Sequence, residues 1–308
     1  MLTKHNSQPK KQPLNIIPIA ALALLAILSV AGLIYRETQD RQARFNGSRA
    51  YEDVERQVAF GPRIPGSDAH DRTVSYIKQV LLGEGWAVDI QDTQLLEKPI
   101  RNVIGKRGEG RPWIVLGAHY DSRIYADQDP DPSKRNQPVP GAEDGASGVA
   151  VLLELARVLK DNQASQIWLV FFDAEDNGHI PGWDWILGSS AFVSSLKDKP
   201  DAAIVVDMVG DMDLSLYQEG YSDIALTSEV WGIAQELGYS NIFIPKVKRT
   251  ILDDHVPFLQ AGIPATDIID LDYPYWHTTS DTPDKVSSKS LQFVGDTLLK
   301  YLTLQNRK

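Results

Sequence analysis

The 308-residue sequence contains no cysteine. That absence removes thiol nucleophiles, thiolate-held zinc, iron–sulfur clusters and disulfide frameworks together. An excess of basic charge is missing too: 31 Lys and Arg stand against 41 Asp and Glu, for a net charge of −10 and a pI near 5.1. Binding to a phosphate backbone needs a basic surface, so no nucleic-acid partner is expected. No internal repeat or low-complexity tract is visible, and a composition 43% hydrophobic and 23% charged is that of a globular chain. Any metal this chain binds must therefore be held by His, Asp or Glu.

Long apolar runs are absent save one. No charged residue occurs between Gln12 and Tyr35, and residues 16–35 are almost wholly apolar. As a helix, about 20 residues span roughly 30 Å, the thickness of a bilayer's hydrocarbon core. Lys4, Lys10 and Lys11 precede the run, so the positive-inside rule keeps the N-terminus cytoplasmic and exports the remainder of the chain. The expected organisation is a cytoplasmic N-terminus at 1–15, a transmembrane signal anchor at 16–35, a polar stalk at 36–50 and a catalytic domain at 51–308, single-pass in the cell membrane with the domain outside the cytoplasm. The alternative is a secreted protein released by signal-peptide cleavage, for which Ser29-Val30-Ala31 offers a small-x-small site. Residues 1–44 are net basic, so the exported part is more acidic than the whole. About 260 residues remain, enough for one large α/β domain with a full core.

Within that domain, short apolar runs predict strands at 113–118, 166–172, 202–206 and 265–269. Helical patterns fall at 145–159, 190–196, 228–237, 254–261 (capped by Asp253 or Asp254) and 287–304. Buried strands alternating with helices indicate a largely parallel sheet covered on both faces, with its site at the carboxyl ends of the strands. Those ends hold His119 and Asp121, Glu175 and Asp176, Asp207, and the loop residue His277, while Asp144 precedes the first of these helices. Each alone has a plain structural role, as a cap or a turn residue. Two His and several carboxylates at one sheet edge repel one another unless a cation compensates, which points to a metal centre. Imidazole and carboxylate without sulfur suit zinc, one ion or two if Asp144 bridges. Asp121, two residues after His119, is positioned to take the other imidazole proton. The neighbours Glu175 and Asp176 divide labour, one binding metal and the other moving a proton.

The chain resembles the zinc exopeptidases of the M28 class, which also includes the glutaminyl-peptide cyclotransferases. The resemblance rests on Gly61-Pro-Arg-Ile-Pro-Gly66-Ser67, Gly117-Ala-His-Tyr-Asp-Ser122, Gly141-Ala-Glu-Asp-Gly-Ala-Ser-Gly148 and Phe171-Phe-Asp-Ala-Glu-Asp176. It continues through Gly188-Ser189, Val206-Asp207-Met208, Asp253-Asp-His-Val-Pro-Phe258, Trp276-His-Thr278 and Asp281-Thr282, in order over residues 52–304. It implies a three-layer α/β/α sandwich around a mixed sheet. It also implies His119 and Asp207 on one metal, Asp176 and His277 on the other, Asp144 as bridge, and Glu175 as general acid/base. Two departures stand out: the family often has Glu where Asp176 stands, and commonly Asp or Asn where Gly145 follows the bridging residue.

Two activities are implied by the resemblance. An aminopeptidase releases N-terminal residues from peptides with a free N-terminus; a cyclase converts N-terminal Gln to pyroglutamate. Gly145-Ala-Ser-Gly148 and Thr278-Thr-Ser-Asp281-Thr282 resemble the peptidases, which the motifs favour overall. An 11-residue insertion at 177–187 with Trp183 and Trp185, Trp276 before His277, and Asp253-Asp254-His255 resemble the cyclases. The three indoles either pack loops or touch substrate, and Asp254 is placed around the pocket. A third reading is an inactive ectodomain that binds partners, although such relatives usually lose metal ligands. Asp127-x-Asp129-x-Asp131 reads as a solvated loop rather than a calcium site, since Pro132 and Pro138 occupy positions that calcium loops give to Gly and Glu. His5, His70 and His179 read as surface residues, and His255 as either a neighbour of the site or a helix-terminal residue.

Overall fold

The computed structural model describes residues 44–159 and 164–306. The apolar run at 16–35 and its Lys-rich lead lie outside the described residues; among those described, no helix is long and apolar enough to cross a membrane. The helices are α1 (Gly47–Ala59), α2 (Asp68–Gly83), α3 (Ala146–Val158), α4 (Leu187–Ser195), α5 (Ile224–Glu236), α6 (Val256–Gln260) and α7 (Ser288–Gln305). The strands are β1 (Ala87–Leu95), β2 (Lys98–Arg107), β3 (Trp113–His119), β4 (Gln166–Phe172), β5 (Ala202–Asp207), β6 (Leu216–Glu219), β7 (Phe243–Arg249) and β8 (Ala265–Ile269).

Six strands form one sheet in the order β1-β2-β4-β3-β5-β8. The half made of β4, β3, β5 and β8 is parallel, and β2 pairs antiparallel with both β4 and β1. The sheet is therefore mixed and mostly parallel, as expected. β3 and β5 are buried along their whole length, which is why they read as unbroken apolar runs. On one face, Phe192 of α4 and Phe258 of α6 pack against Val115, Val170 and Phe172. On the other lies α3, buried almost all round because α1 and α7 back it. Gly148 brings α3 close: a Cβ there would sit 2.2 Å from the Val206 carbonyl oxygen. This contact sets the start of α3, and the Asp144 that precedes it, over the carboxyl end of the sheet.

Several elements differ from the sequence expectation. The segment at 36–50 read as stalk contains the start of the folded unit. Phe45 is buried, Asn46 caps α1 by accepting from the Ser48 and Arg49 amides, and Gln292 binds both Gly47 N and Phe45 O. The polar surface of α1 hides an amphipathic helix whose Ala50, Val54 and Gln57 face inward. α4 begins at Leu187 rather than 190, because Ile186 enters it in the left-handed region without a capping side chain. α6 is shorter than 254–261, and neither Asp253 nor Asp254 caps it; its first flanking residue is His255. The β1–β2 hairpin was not visible, since β1 is mostly exposed and polar and its turn is Leu96-Glu97 rather than Asn-Gly. Both turn residues nonetheless take positive φ, 49° and 63°, as a two-residue hairpin of this kind requires.

α1 is held to α3 by an ion pair with little access to water. Arg157 Nη2 donates to Asp53 Oδ1 at 2.9 Å, and the Tyr76 hydroxyl donates to the same carboxylate. Without Asp53 the mostly buried Arg157 keeps only a 3.4 Å contact to Glu154 Oε2 and loses its closer partner, at a cost of about 3 kcal/mol. Asp53→Ala is expected to lower the unfolding free energy by that amount in urea titrations; a loss below about 1 kcal/mol would count against a structural role for the pair.

Candidate active site

The parallel strands deliver their last residues to one edge. β3 ends on His119, β5 on Asp207, and β4 is followed after three residues by Glu175 and Asp176. Asp144 lies just before α3, and His277 in the loop after β8. All six side chains are buried. His119 Nε2 lies 3.1 Å from both Asp144 Oδ1 and Asp207 Oδ1. His277 Nε2 lies 2.8 Å from Asp176 Oδ1 and 3.6 Å from Asp144 Oδ2. The result is two ligand-competent triads, His119/Asp144/Asp207 and Asp144/Asp176/His277, sharing Asp144. This is the grouping that the resemblance implies.

Asp121 organises both halves. Its Oδ1 lies 3.4 Å from His119 Nδ1 and accepts from Glu175 N at 3.0 Å, while Oδ2 accepts from Asp176 N and the Asn177 amide. One carboxylate thus orients the imidazole and fixes the loop bearing Glu175 and Asp176. Backbone strain gathers here too: Ala174, Met208 and His277 take positive φ of 52°, 45° and 55°. Non-glycine residues hold that conformation only where their surroundings enforce it.

The electrostatics call for a cation. Burial raises the Glu175 carboxyl well above its ordinary range. Burial, reinforced by Asp144, pushes Asp176 up to about 6, and burial pushes Asp207 up to about 7 against the pull of His119. Asp144 alone is lowered, because the His119 hydrogen bond and the nearby imidazoles outweigh its burial. Burial opposes the charged form of His277, but Asp176 and Asp127 prevail and lift it to about 9. Asp144 Oδ2 and Asp176 Oδ2 are buried without a hydrogen-bond partner. Two orphaned carboxylate oxygens, each within a triad of N and O donors, fit zinc.

Beside the centre lies a cavity of about 280 Å³. Asp144, Glu175, Asp176, Asp207 and Asp253 supply its carboxylates; Trp185, Trp276, Ile251, Leu252, Ile269 and Leu271 are among its apolar lining. Trp185 stacks on His277 with ring centroids 6.1 Å apart and planes 15° apart.

The sequence profile of peptidase family M28 matches residues 102–302. The chain belongs to this family. Among proteins of known structure, it is similar to a glutaminyl cyclase of Tannerella forsythia, with 37% identity and a TM-score of 0.79 over 84% of this chain and 98% of that one. It is likewise similar to a Zn-dependent exopeptidase of Parabacteroides distasonis, with 34% identity and a TM-score of 0.81 over 85% and 99%. Aminopeptidase YwaD of Bacillus subtilis is 28% identical over 88% of this chain and 60% of its own length. The chain is thus an M28 enzyme of the zinc exopeptidase or glutaminyl cyclase type.

Both departures from the common M28 pattern have a local account. Gly145 has φ of 93°, and a Cβ there would lie 2.8 Å from the Asp121 carbonyl oxygen and 3.0 Å from His119 Cε1. Asp176, though one methylene shorter than Glu, reaches His277 because its backbone is drawn in: its amide donates to Asp121, and its carbonyl accepts from Arg123 Nη1 at 2.9 Å.

The other candidates fall in varied places. Trp183 does not line the cavity; it packs with Ile100, Ala174 and Leu187 under the Lys98 ammonium, 4.4 Å from its ring. Asp254 is fully buried, and Asp253 lines the cavity in its place. His70 is buried rather than exposed, with Nε2 2.8 Å from Asp173 Oδ1 and 2.9 Å from the Tyr120 hydroxyl. His255 flanks the start of α6, the helix-terminal place expected for it, and is buried 3.0 Å from Glu219. The Asp127–Asp131 loop is not simply solvated: Asp127 lies 3.5 Å from His277 Nδ1, and buried Asp129 accepts from Thr279 N and Oγ1. Sequence reasoning missed the residues that aim Asp144. Arg63, wholly buried, donates to the carbonyls of Tyr120, Pro140, Gly141 and Asp144. Asp281 accepts from the amides of Glu143 and Asp144 and from the Tyr273 hydroxyl. Both residues lie in motifs that carry the family resemblance, which was the one signal available.

Proposed function

We propose that this chain is a zinc-dependent glutaminyl-peptide cyclotransferase. The observation that carries the reading is the cavity: two indoles, Trp185 and Trp276, and several aliphatic side chains line a space suited to one residue over an acidic floor. Cyclisation needs such walls, because water reaching the γ-amide would hydrolyse it instead. The sequence motifs lean towards the peptidase; the indoles at the site turn that preference. Asp144, Asp176 and His277 would hold the zinc. Bound there, the ion supplies Lewis-acid polarisation of the substrate's γ-carboxamide oxygen.

The chain's own residues do the rest. Carboxylates on the floor take up the N-terminal ammonium. The ammonium first gives its extra proton to solvent; Glu175 then accepts a second proton from the amine as its nitrogen attacks the γ-carbon, and returns it to the departing amide nitrogen. The new N–C bond closes the five-membered ring, the old C–N bond breaks and ammonia leaves. Burial raises this carboxyl above its ordinary range, which makes it the stronger proton acceptor.

The second reading, an aminopeptidase, is favoured by the complete second triad, His119/Asp144/Asp207, which offers a place for another metal and an activated water. A single assay separates the two. Peptides beginning with Gln and with Leu are incubated with the purified protein and weighed. Loss of one ammonia from the Gln peptide, with the Leu peptide intact, is expected; release of free Leu would reverse the assignment.

A further inference from the structure

The cavity presents five carboxylates and a single basic side chain, Arg249. Arg249 closes β7, and its side chain is 55% exposed, so it stands at the mouth rather than on the floor. Its ion pairing is weak. Nη2 is 3.7 Å from Asp272 Oδ1, beyond hydrogen-bond range, while Lys248 Nζ occupies Oδ2 of that carboxylate. Leu252 and Trp276, both exposed, share the lining with it.

We infer that Arg249 selects the second residue of the substrate and favours an acidic one. The inference rests on reading the cavity as the pocket for the substrate's N-terminal residue. A space of about 280 Å³ takes one residue, with its ammonium among the carboxylates. The next residue, roughly 3.3–3.6 Å further along an extended chain, must leave through the mouth. There a Glu or Asp side chain, or the terminal carboxylate of a dipeptide, meets a guanidinium whose fork matches two carboxylate oxygens. The chain's net charge of −10 works against an acidic substrate. That opposition is screened beyond about 8 Å at physiological salt, so the local contact decides.

An exposed pair of this kind is worth about two- to fivefold in kcat/KM. The test compares Gln-Glu-Ala with Gln-Lys-Ala on the purified full chain at about 0.15 M and roughly 1 M salt. Wild type should prefer the Glu peptide at the lower salt and lose that preference at the higher. Arg249→Gln should bring the ratio near one, and Arg249→Glu should invert it. A wild-type ratio of one, or a ratio unchanged in Arg249→Glu, overturns the inference. If the protein instead releases N-terminal residues, the cyclase reading fails separately, and the same ratio is read on Leu-Glu-Ala and Leu-Lys-Ala. Turnover of neither series overturns both.

Discussion

Glu175→Gln is expected to lower kcat by on the order of 10²–10⁴ while leaving fold and zinc content close to wild type. The size reflects the role: the side chain must take a proton from the nucleophile and return it to the leaving group, and an amide does neither. The selectivity comes from the geometry. Glu175 belongs to neither triad, so its loss removes no ligand. Its position is fixed through its backbone, whose amide donates to Asp121 at 3.0 Å, so an isosteric amide has no cause to move the loop. Gln also relieves the burial that raises the carboxyl, so stability should hold or rise slightly. Zinc content by mass spectrometry, thermal melting and steady-state kinetics on a Gln-initiated peptide check the three parts. Near wild-type turnover in a fully metallated variant would refute the assignment.

The strands that position this site were legible because they are buried on both faces, so burial alone writes an apolar run. β4 and β8 have the bounds their composition predicts, and β3 and β5 each extend one residue further, to His119 and Asp207. The polar residues that end them stood out for the same reason. Elements with one wet face were harder to see. α1 reads as polar stalk until Ala50, Val54 and Gln57 are seen facing inward, and β1 leaves most of its residues in water.

The supporting shell was hidden for a different reason. Arg63 acts on carbonyls up to 81 positions away, and Asp281 on amides 137 and 138 positions away. No local pattern encodes such pairings. His70 likewise gains its partner, Asp173, only when α2 crosses the end of β4. Trp183 and Trp185 lie two residues apart and end in different surroundings. The turn between His179 and Ile186 passes through the left-handed region at His179, Gly182 and Ile186, so neither a period of two nor one of 3.6 describes which way each indole faces.

Asp144→Asn is expected to have the other large effect. Asp144 is the only residue common to both triads, so the substitution removes a charged ligand whichever triad is used. Its backbone should stay in place, with the amide held by Asp281 at 3.2 Å and the carbonyl within 3.3 Å of Arg63 Nη2. The loss is therefore one of charge and donor strength rather than of shape. Even altering a side chain that only supports a ligand typically costs 10–100-fold in metal affinity, and altering the ligand itself should cost at least about that. The readout need not be activity. Zinc that binds only the folded state stabilises it, and about 100 times Kd gives roughly 2.7 kcal/mol. Wild type should therefore melt higher when zinc is added to the stripped protein, and Asp144→Asn should show little or none of that rise. Asp207→Asn then distinguishes one ion from two. Asp207 belongs only to the His119 triad, so a two-metal enzyme loses half its zinc, whereas an enzyme using Asp144, Asp176 and His277 alone keeps its full complement and its zinc-dependent melting shift. An Asp144→Asn protein that retains wild-type zinc content and the full shift would place the metal elsewhere.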